Sequence, residues 1–157
     1  MKNIFVIILF FSTSNLLSQS SLKNYLDDLR SVDEHLENAK ELKRFSTADG
    51  YKEMAYLEVL KAIRLNPESS EAYSIKGELN YYKGDPYGAI EDLNHSISLG
   101  SKNGCTYLYR ALSRLNLPYY HENNNETKIC ADLITAKALG GCADDGGVLR
   151  GHLVSCE

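Results

Sequence analysis

Four cysteines carry most of the chemical potential of this chain: Cys105, Cys130, Cys142 and Cys156, all in its C-terminal third. In an oxidising compartment an even cysteine count reads as disulfides, and four cysteines allow three connectivities. Zinc is the alternative chemistry. His152 and Cys156 stand one helical turn apart, and Cys142 with either Cys130 or Cys105 would complete a four-ligand set. No Cys-x-x-Cys pair supports that reading. Other chemistry is sparse. There is no phosphate-cradling glycine loop, no zinc-peptidase His-Glu motif and no Gly-x-Ser-x-Gly elbow. His35, His95 and His121 are scattered along the chain, and the carboxylates Glu91-Asp92 and Asp144-Asp145 read as solvated helix positions or N-terminal charge. Asn94-His95-Ser96 and Asn125-Glu126-Thr127 are formal glycosylation sequons that matter only in a eukaryotic secretory host. No enzyme and no cofactor are expected.

Composition narrows the partners. Seventeen Lys and Arg against 21 Asp and Glu give a formal charge of −4, which supplies no field for nucleic acid. At 157 residues and 43% hydrophobic content the chain can bury one real core. Tyrosine occurs 11 times and proline only 3 times, and no strand-like alternation is visible, so a helical protein is expected.

The start of the chain reads as an address. Met1-Lys2-Asn3 precedes the apolar run Ile4 to Phe11, and Leu16-Leu17-Ser18-Gln19-Ser20 offers small residues for cleavage. The run is too short to cross about 30 Å of hydrocarbon, so residues 1–20 are expected to be a cleaved secretory signal rather than a stable membrane span. The mature protein is then periplasmic or secreted.

The elements that position the cysteines follow from a repeat. Gly50 and Gly84, Ala55 and Ala89, Val59 and Leu93, Ala62 and Ser96, and Leu65 and Leu99 are pairs 34 residues apart. The same step carries Tyr73 to Tyr107 and Gly77 to Ala111. A longer step of 40 residues takes Asp92-Leu93, Ser96 and Leu99-Gly100 to Asp132-Leu133, Ala136 and Leu139-Gly140, with the excess in the polar stretch 118–126. Small residues recurring at one helical site let neighbouring helices approach closely. This pattern resembles the tetratricopeptide repeat, a 34-residue helix-turn-helix. Tyr73, Gly77, Ala89, Leu93 and Ser96 stand on its landmarks, and the likeness covers roughly residues 36–140. It departs in the earliest repeat, where Lys43 takes the small-residue site and Asp49-Gly50 makes the turn.

The resemblance implies an all-α fold: a short α-solenoid of about three helix pairs and a capping helix. Residues 21–33 form an N-terminal helix (22–29) and linker, and residues 34–157 form the repeat domain. Helices are expected at 34–47 with 51–64, 70–82 with 86–98, 104–116 with 127–139, and a cap at 144–156. Ser70 is the expected N-cap of its helix, and stacking should give one continuous core. Antiparallel helices set the start of one beside the end of the next. That layout places Cys105 near Cys142 on one edge and Cys130 near Cys156 on the other, and these are the favoured pairs.

In this family the first helix of each pair lines a concave groove that receives a peptide or partner segment. The resemblance assigns Lys40, Glu41 and Arg44 to that groove, then Ser74, Glu78, Tyr81 and Tyr82. Leu108, Tyr109, Leu112 and Asn116 follow. Tyr73 and Tyr107 are expected to pack between repeats, whereas Tyr82 and Tyr109 suit packing and groove equally. The row of Lys and Asn with which chaperone-binding members clamp a carboxylate is missing, and Glu78 argues against that role. The leading expectation is an exported, non-enzymatic protein that binds a protein or peptide. A structural homo-oligomer is the first rival, and a zinc or thiol protein the second.

Overall fold

The computed structural model describes residues 31–44, 49–118, 121–122, 125–142, 151–152 and 156. The expected signal (1–20), the expected N-terminal helix (22–29) and most of the expected cap lie outside these residues; of the cap, Gly151 and His152 are helical. Six helices form among the described residues: α1 (Val32–Arg44), α2 (Asp49–Leu65), α3 (Ser70–Tyr82), α4 (Pro86–Ser98), α5 (Gly104–Leu115) and α6 (Glu126–Ala138). There is no strand among the described residues, and the chain is a short all-α solenoid.

Local chemistry sets the helix ends. The Asp85 carboxylate accepts from the Gly88 amide at 2.9 Å and Pro86 opens α4, where its missing N–H costs nothing. Asn103 and Asn125 cap α5 and α6 by accepting from the Cys105 and Lys128 amides. The N-cap of α3 is Ser69, whose hydroxyl accepts from the Ala72 amide, and Ser70 is the first helical residue instead of the cap. Asp49-Gly50, expected as a turn, begins α2. At the other ends, Gly100 and Gly140 adopt φ of +86° and +91°, which ordinary side chains resist, and close the turns after α4 and α6.

The helices stack as three antiparallel pairs, α1–α2, α3–α4 and α5–α6, with α1, α3 and α5 forming one layer. Gly77 shows why small residues recur. A Cβ there would sit 2.6 Å from Leu93 Cγ, so α3 and α4 could not approach as they do. Ala55, Val59 and Ala62 on α2 are buried, as are Ala89, Leu93 and Ser96 at the same steps on α4.

The core is divided, contrary to the expectation of a continuous one. One cluster joins Leu36, Ala55, Val59 and Leu79; the other joins Leu93, Leu108, Leu112 and Leu133. Hydroxyls interrupt them. Ser74 Oγ lies 2.7 Å from Thr106 Oγ1, and Ser96 Oγ donates to the Ser70 carbonyl at 2.7 Å. These buried groups are all satisfied, so the seam is polar without being costly.

Candidate functional site

The layer of α1, α3 and α5 holds every residue expected in the groove except Asn116, which caps the end of α5. Side-chain burial separates them. Ser74 is enclosed by its bond to Thr106, and Leu108, Leu112 and Tyr109 belong to the second core cluster. Glu78 is buried as well. These five do not form an open groove wall, because α3 packs directly on α5 and closes the space between them. Arg44, Glu41, Tyr82 and Asn116 are exposed, and Lys40 is half-buried.

Beneath the exposed positions lies an ordered aromatic cluster. The ring of Tyr82 is 5.6 Å from that of Tyr109 and 5.5 Å from that of Tyr81, and Tyr81 and Tyr109 are 5.4 Å apart. Edge-to-face and tilted rings at these distances attract through their quadrupoles. The hydroxyls of Tyr82 and Tyr109 meet at 2.5 Å. Tyr82 is 41% exposed while Tyr109 is 4% exposed, so a buried ring holds a surface ring in place. Beside them Lys43 Nζ donates to both carboxylate oxygens of Glu78 at 2.7 Å. Lys43, one repeat step before Gly77, thus reaches across to α3. Lys40 is paired with Glu71 at 2.8 Å and Glu37 at 3.2 Å, which holds its pKa above the usual lysine value. Lys43 and Lys40 are thus occupied, whereas Arg44 on the same layer is exposed.

Burial, then the Glu78 carboxylate and the Tyr82 hydroxyl, push the Tyr109 phenol well above its ordinary value. The sign of the consequence is fixed. Above pH 10 the unfolded chain releases this proton and the folded chain keeps it, so stability falls as pH rises. Chemical denaturation at about pH 9 and pH 11 should show wild type losing about 1.4 kcal/mol more than Tyr109→Phe across that interval. Equal losses would contradict the assignment.

Sequence reasoning missed a second constellation, a ladder of carboxylates on α2, α4 and α6. Glu58 Oε2 accepts from His35 at 2.8 Å, and Glu58 Oε1 accepts from Lys61 at 3.0 Å. Asp92 accepts from Lys76 at 2.8 Å and Asn80 at 2.7 Å. Asp132 accepts from Arg110 at 3.0 and 2.5 Å and, closely, from Arg114. Asp92 is buried, where a solvated position was expected. Burial raises its pKa, and Lys76 and Asn80 pull it only part of the way back. The signal was present in the repeat. Glu58 and Asp92, Lys76 and Arg110, and Asn80 and Arg114 are all 34 residues apart. Arg110 Nη1 also donates to Asn94 at 2.8 Å, tying α5 to α4.

All four sulfurs are paired, Cys105 with Cys142 and Cys130 with Cys156, with Cα atoms 4.7 and 5.4 Å apart. The set Cys142, His152 and Cys156 therefore offers no thiolate to zinc, and among the described residues no group of three His, Cys, Asp or Glu could hold a metal ion. Gly104 marks how closely the first of these bridges draws the chain. A Cβ there would lie 2.9 Å from the Ala136 carbonyl and closer still to that of Gly141.

Solved structures of low sequence identity share this arrangement of helices. The yeast Sti1 TPR2B domain in a pHsp70 complex is 14% identical with a TM-score of 0.60, over 80% of this chain and 94% of that one. The fold is that of a tetratricopeptide-repeat domain. The Arabidopsis OM64 TPR domain is 18% identical with a TM-score of 0.56, over 77% of this chain and 98% of that one. The first TPR of Spaghetti (RPAP3) bound to the HSP90 peptide SRMEEVD is 13% identical with a TM-score of 0.58, over 80% and 94%. No protein-family model matches the sequence, and no curated protein matches it. Within this TPR fold the Arg110–Asp132 and Lys76–Asp92 pairs occupy the joints between the two helices of a repeat.

Proposed function

We propose that this chain is an exported, non-enzymatic repeat protein that holds a protein or peptide partner on the layer of α1, α3 and α5. The observation that carries this reading is Tyr82, exposed yet fixed by Tyr81 and Tyr109. An immobilised ring gives contact area at little further entropy cost and keeps a hydroxyl for hydrogen bonding. Arg44 stands exposed on the same layer, and Asn116 is exposed at the end of α5. Two of the similar TPR domains are complexes with Hsp70 or with an HSP90 peptide, which supports a peptide as the class of partner. An acidic peptide such as SRMEEVD would meet Lys43 and Lys40 already held by Glu78 and Glu71. The face suits aromatic and hydrogen-bonding contact better than capture of a carboxylate.

Export rests on the signal-like residues 1–20 and on two disulfides, which persist in oxidising compartments. No helix among the described residues is long and apolar enough to cross a membrane. The zinc or thiol alternative loses support because its sulfurs are bonded to one another.

The test is affinity capture from envelope and secreted fractions. Wild type is compared with a Tyr82→Ala, Asn116→Arg variant that keeps the wild-type helical content. Tyr109 must be left alone, since its ring is part of the core. A dominant protein lost from the variant supports the reading; identical capture by both proteins overturns it.

A further inference from the structure

α2 carries apolar residues on both sides. Ala55, Val59 and Ala62 face the core, while Met54, Leu57 and Leu60 are 53%, 52% and 40% exposed. At 3.6 residues per turn Leu57 points directly away from the buried set, and Met54 and Leu60 flank it. α2 packs on α1 and α3, and neither covers this ridge. Scattered exposed leucines need no explanation, but three in a row along one helix face are a surface.

The order of residues along the ridge is the informative part. Met54 and Leu60 lie three positions either side of Leu57, Glu53 and Lys61 lie four, and Gly50 and Arg64 lie seven. Apolar matches apolar and acidic matches basic about one central residue. Reversing the helix therefore superposes its face on a complement of itself, which is what a twofold interface requires. Glu53 is paired at the surface with Lys83 at 2.9 Å, and Lys61 is paired with the largely buried Glu58 at 3.0 Å. The exposed Glu53–Lys83 pair contributes little and can be exchanged for a contact to a neighbour. Gly50 has open space around its Cβ position, so a long side chain from a partner can lie over it.

We propose that the outer face of α2 pairs antiparallel with α2 of a second copy of this chain, with Leu57 on the twofold axis. Met54 packs against Leu60 of the other copy, and Glu53 faces its Lys61. One helix face buries less than the roughly 1,200 Å² typical of stable interfaces, so the dimer is weak and concentration-dependent. It lies on a helix outside the layer assigned to partner binding, and so leaves that layer accessible.

Sedimentation velocity of the mature protein from about 5 to about 500 micromolar reads the association directly. Leu57→Glu should weaken dimerisation at least about tenfold, and Glu53→Lys alone should do so by setting like charges opposite each other. The double variant Glu53→Lys, Lys61→Glu restores the complement and should return to within about threefold of wild type. Leu57→Cys adds a lone thiol beside four paired cysteines, and mild oxidation should join two copies through it, whereas Tyr87→Cys should not crosslink. A strict monomer across the range overturns the proposal and leaves the ridge to a different protein. Self-association that ignores Leu57→Glu or is not rescued by the double charge exchange overturns it too.

Discussion

Replacing Asp132 with alanine is expected to cost about 3–5 kcal/mol of unfolding free energy, the range for breaking a buried ion pair from one side. The carboxylate is almost wholly enclosed and accepts from two guanidinium groups, those of Arg110 and Arg114. Without it both cations remain, and Arg114 is poorly placed to recover. Among the described residues its Nε lacks a hydrogen-bond partner, and its other hydrogen bond runs from Nη1 to the Lys128 carbonyl at 3.2 Å. Burial already lowers its pKa, with Asp132 opposing that shift, so removing the carboxylate leaves the charged form at a greater disadvantage. Asp92→Ala should cost less, about 1–3 kcal/mol, because Lys76 is near enough to the surface to be hydrated. Urea unfolding of both variants with the disulfides intact decides the matter. A loss below about 1 kcal/mol for Asp132→Ala would contradict the ladder's role.

The second large effect is reduction. The two bridges link residues 37 and 26 positions apart, and chain-entropy arithmetic gives about 3–4 kcal/mol for each. Cys142 and Cys156 both pack against the second core cluster, so opening the bridges also loosens apolar contacts on α5 and α6. The double variants Cys105→Ser, Cys142→Ser and Cys130→Ser, Cys156→Ser should each lower the thermal midpoint by many degrees, and the full reduction should approach their sum. The expected hierarchy is local. Amides of α5 and α6 should lose hydrogen-exchange protection before those of α1 and α2, whose cluster neither bridge touches. Uniform loss along the chain would contradict that division.

The helix pairs were legible because the repeat is carried by small residues. Ala55, Ala89, Gly77 and Ala111 are where backbones meet, and a methyl or a hydrogen is all that fits, so their type and spacing survive where larger side chains vary. Polar contacts were harder to read. The resemblance assigns Ser74 and Glu78 to the groove, yet α3 and α5 approach closely enough to bury them. A linear pattern gives the direction of a side chain and not the distance to the next helix. Asp92 read as solvated because it was weighed alone; laid over Asp132 at the repeat step, their basic and amide partners align as well. Tyr82 and Tyr109 were balanced between packing and groove, and they divide the roles: Tyr109 is core, and Tyr82 is the surface that core supports.

Site-specific photocrosslinking in the native compartment is the most direct test of partner binding at the Tyr82 face. A photoreactive phenylalanine analogue is placed at Tyr82, and in separate proteins at Tyr87 and Ile134, exposed positions on α4 and α6. The account predicts one discrete protein adduct from position 82 and none of the same identity from the other two. The same adduct from all three positions, or adducts from the α4 and α6 positions alone, would contradict it.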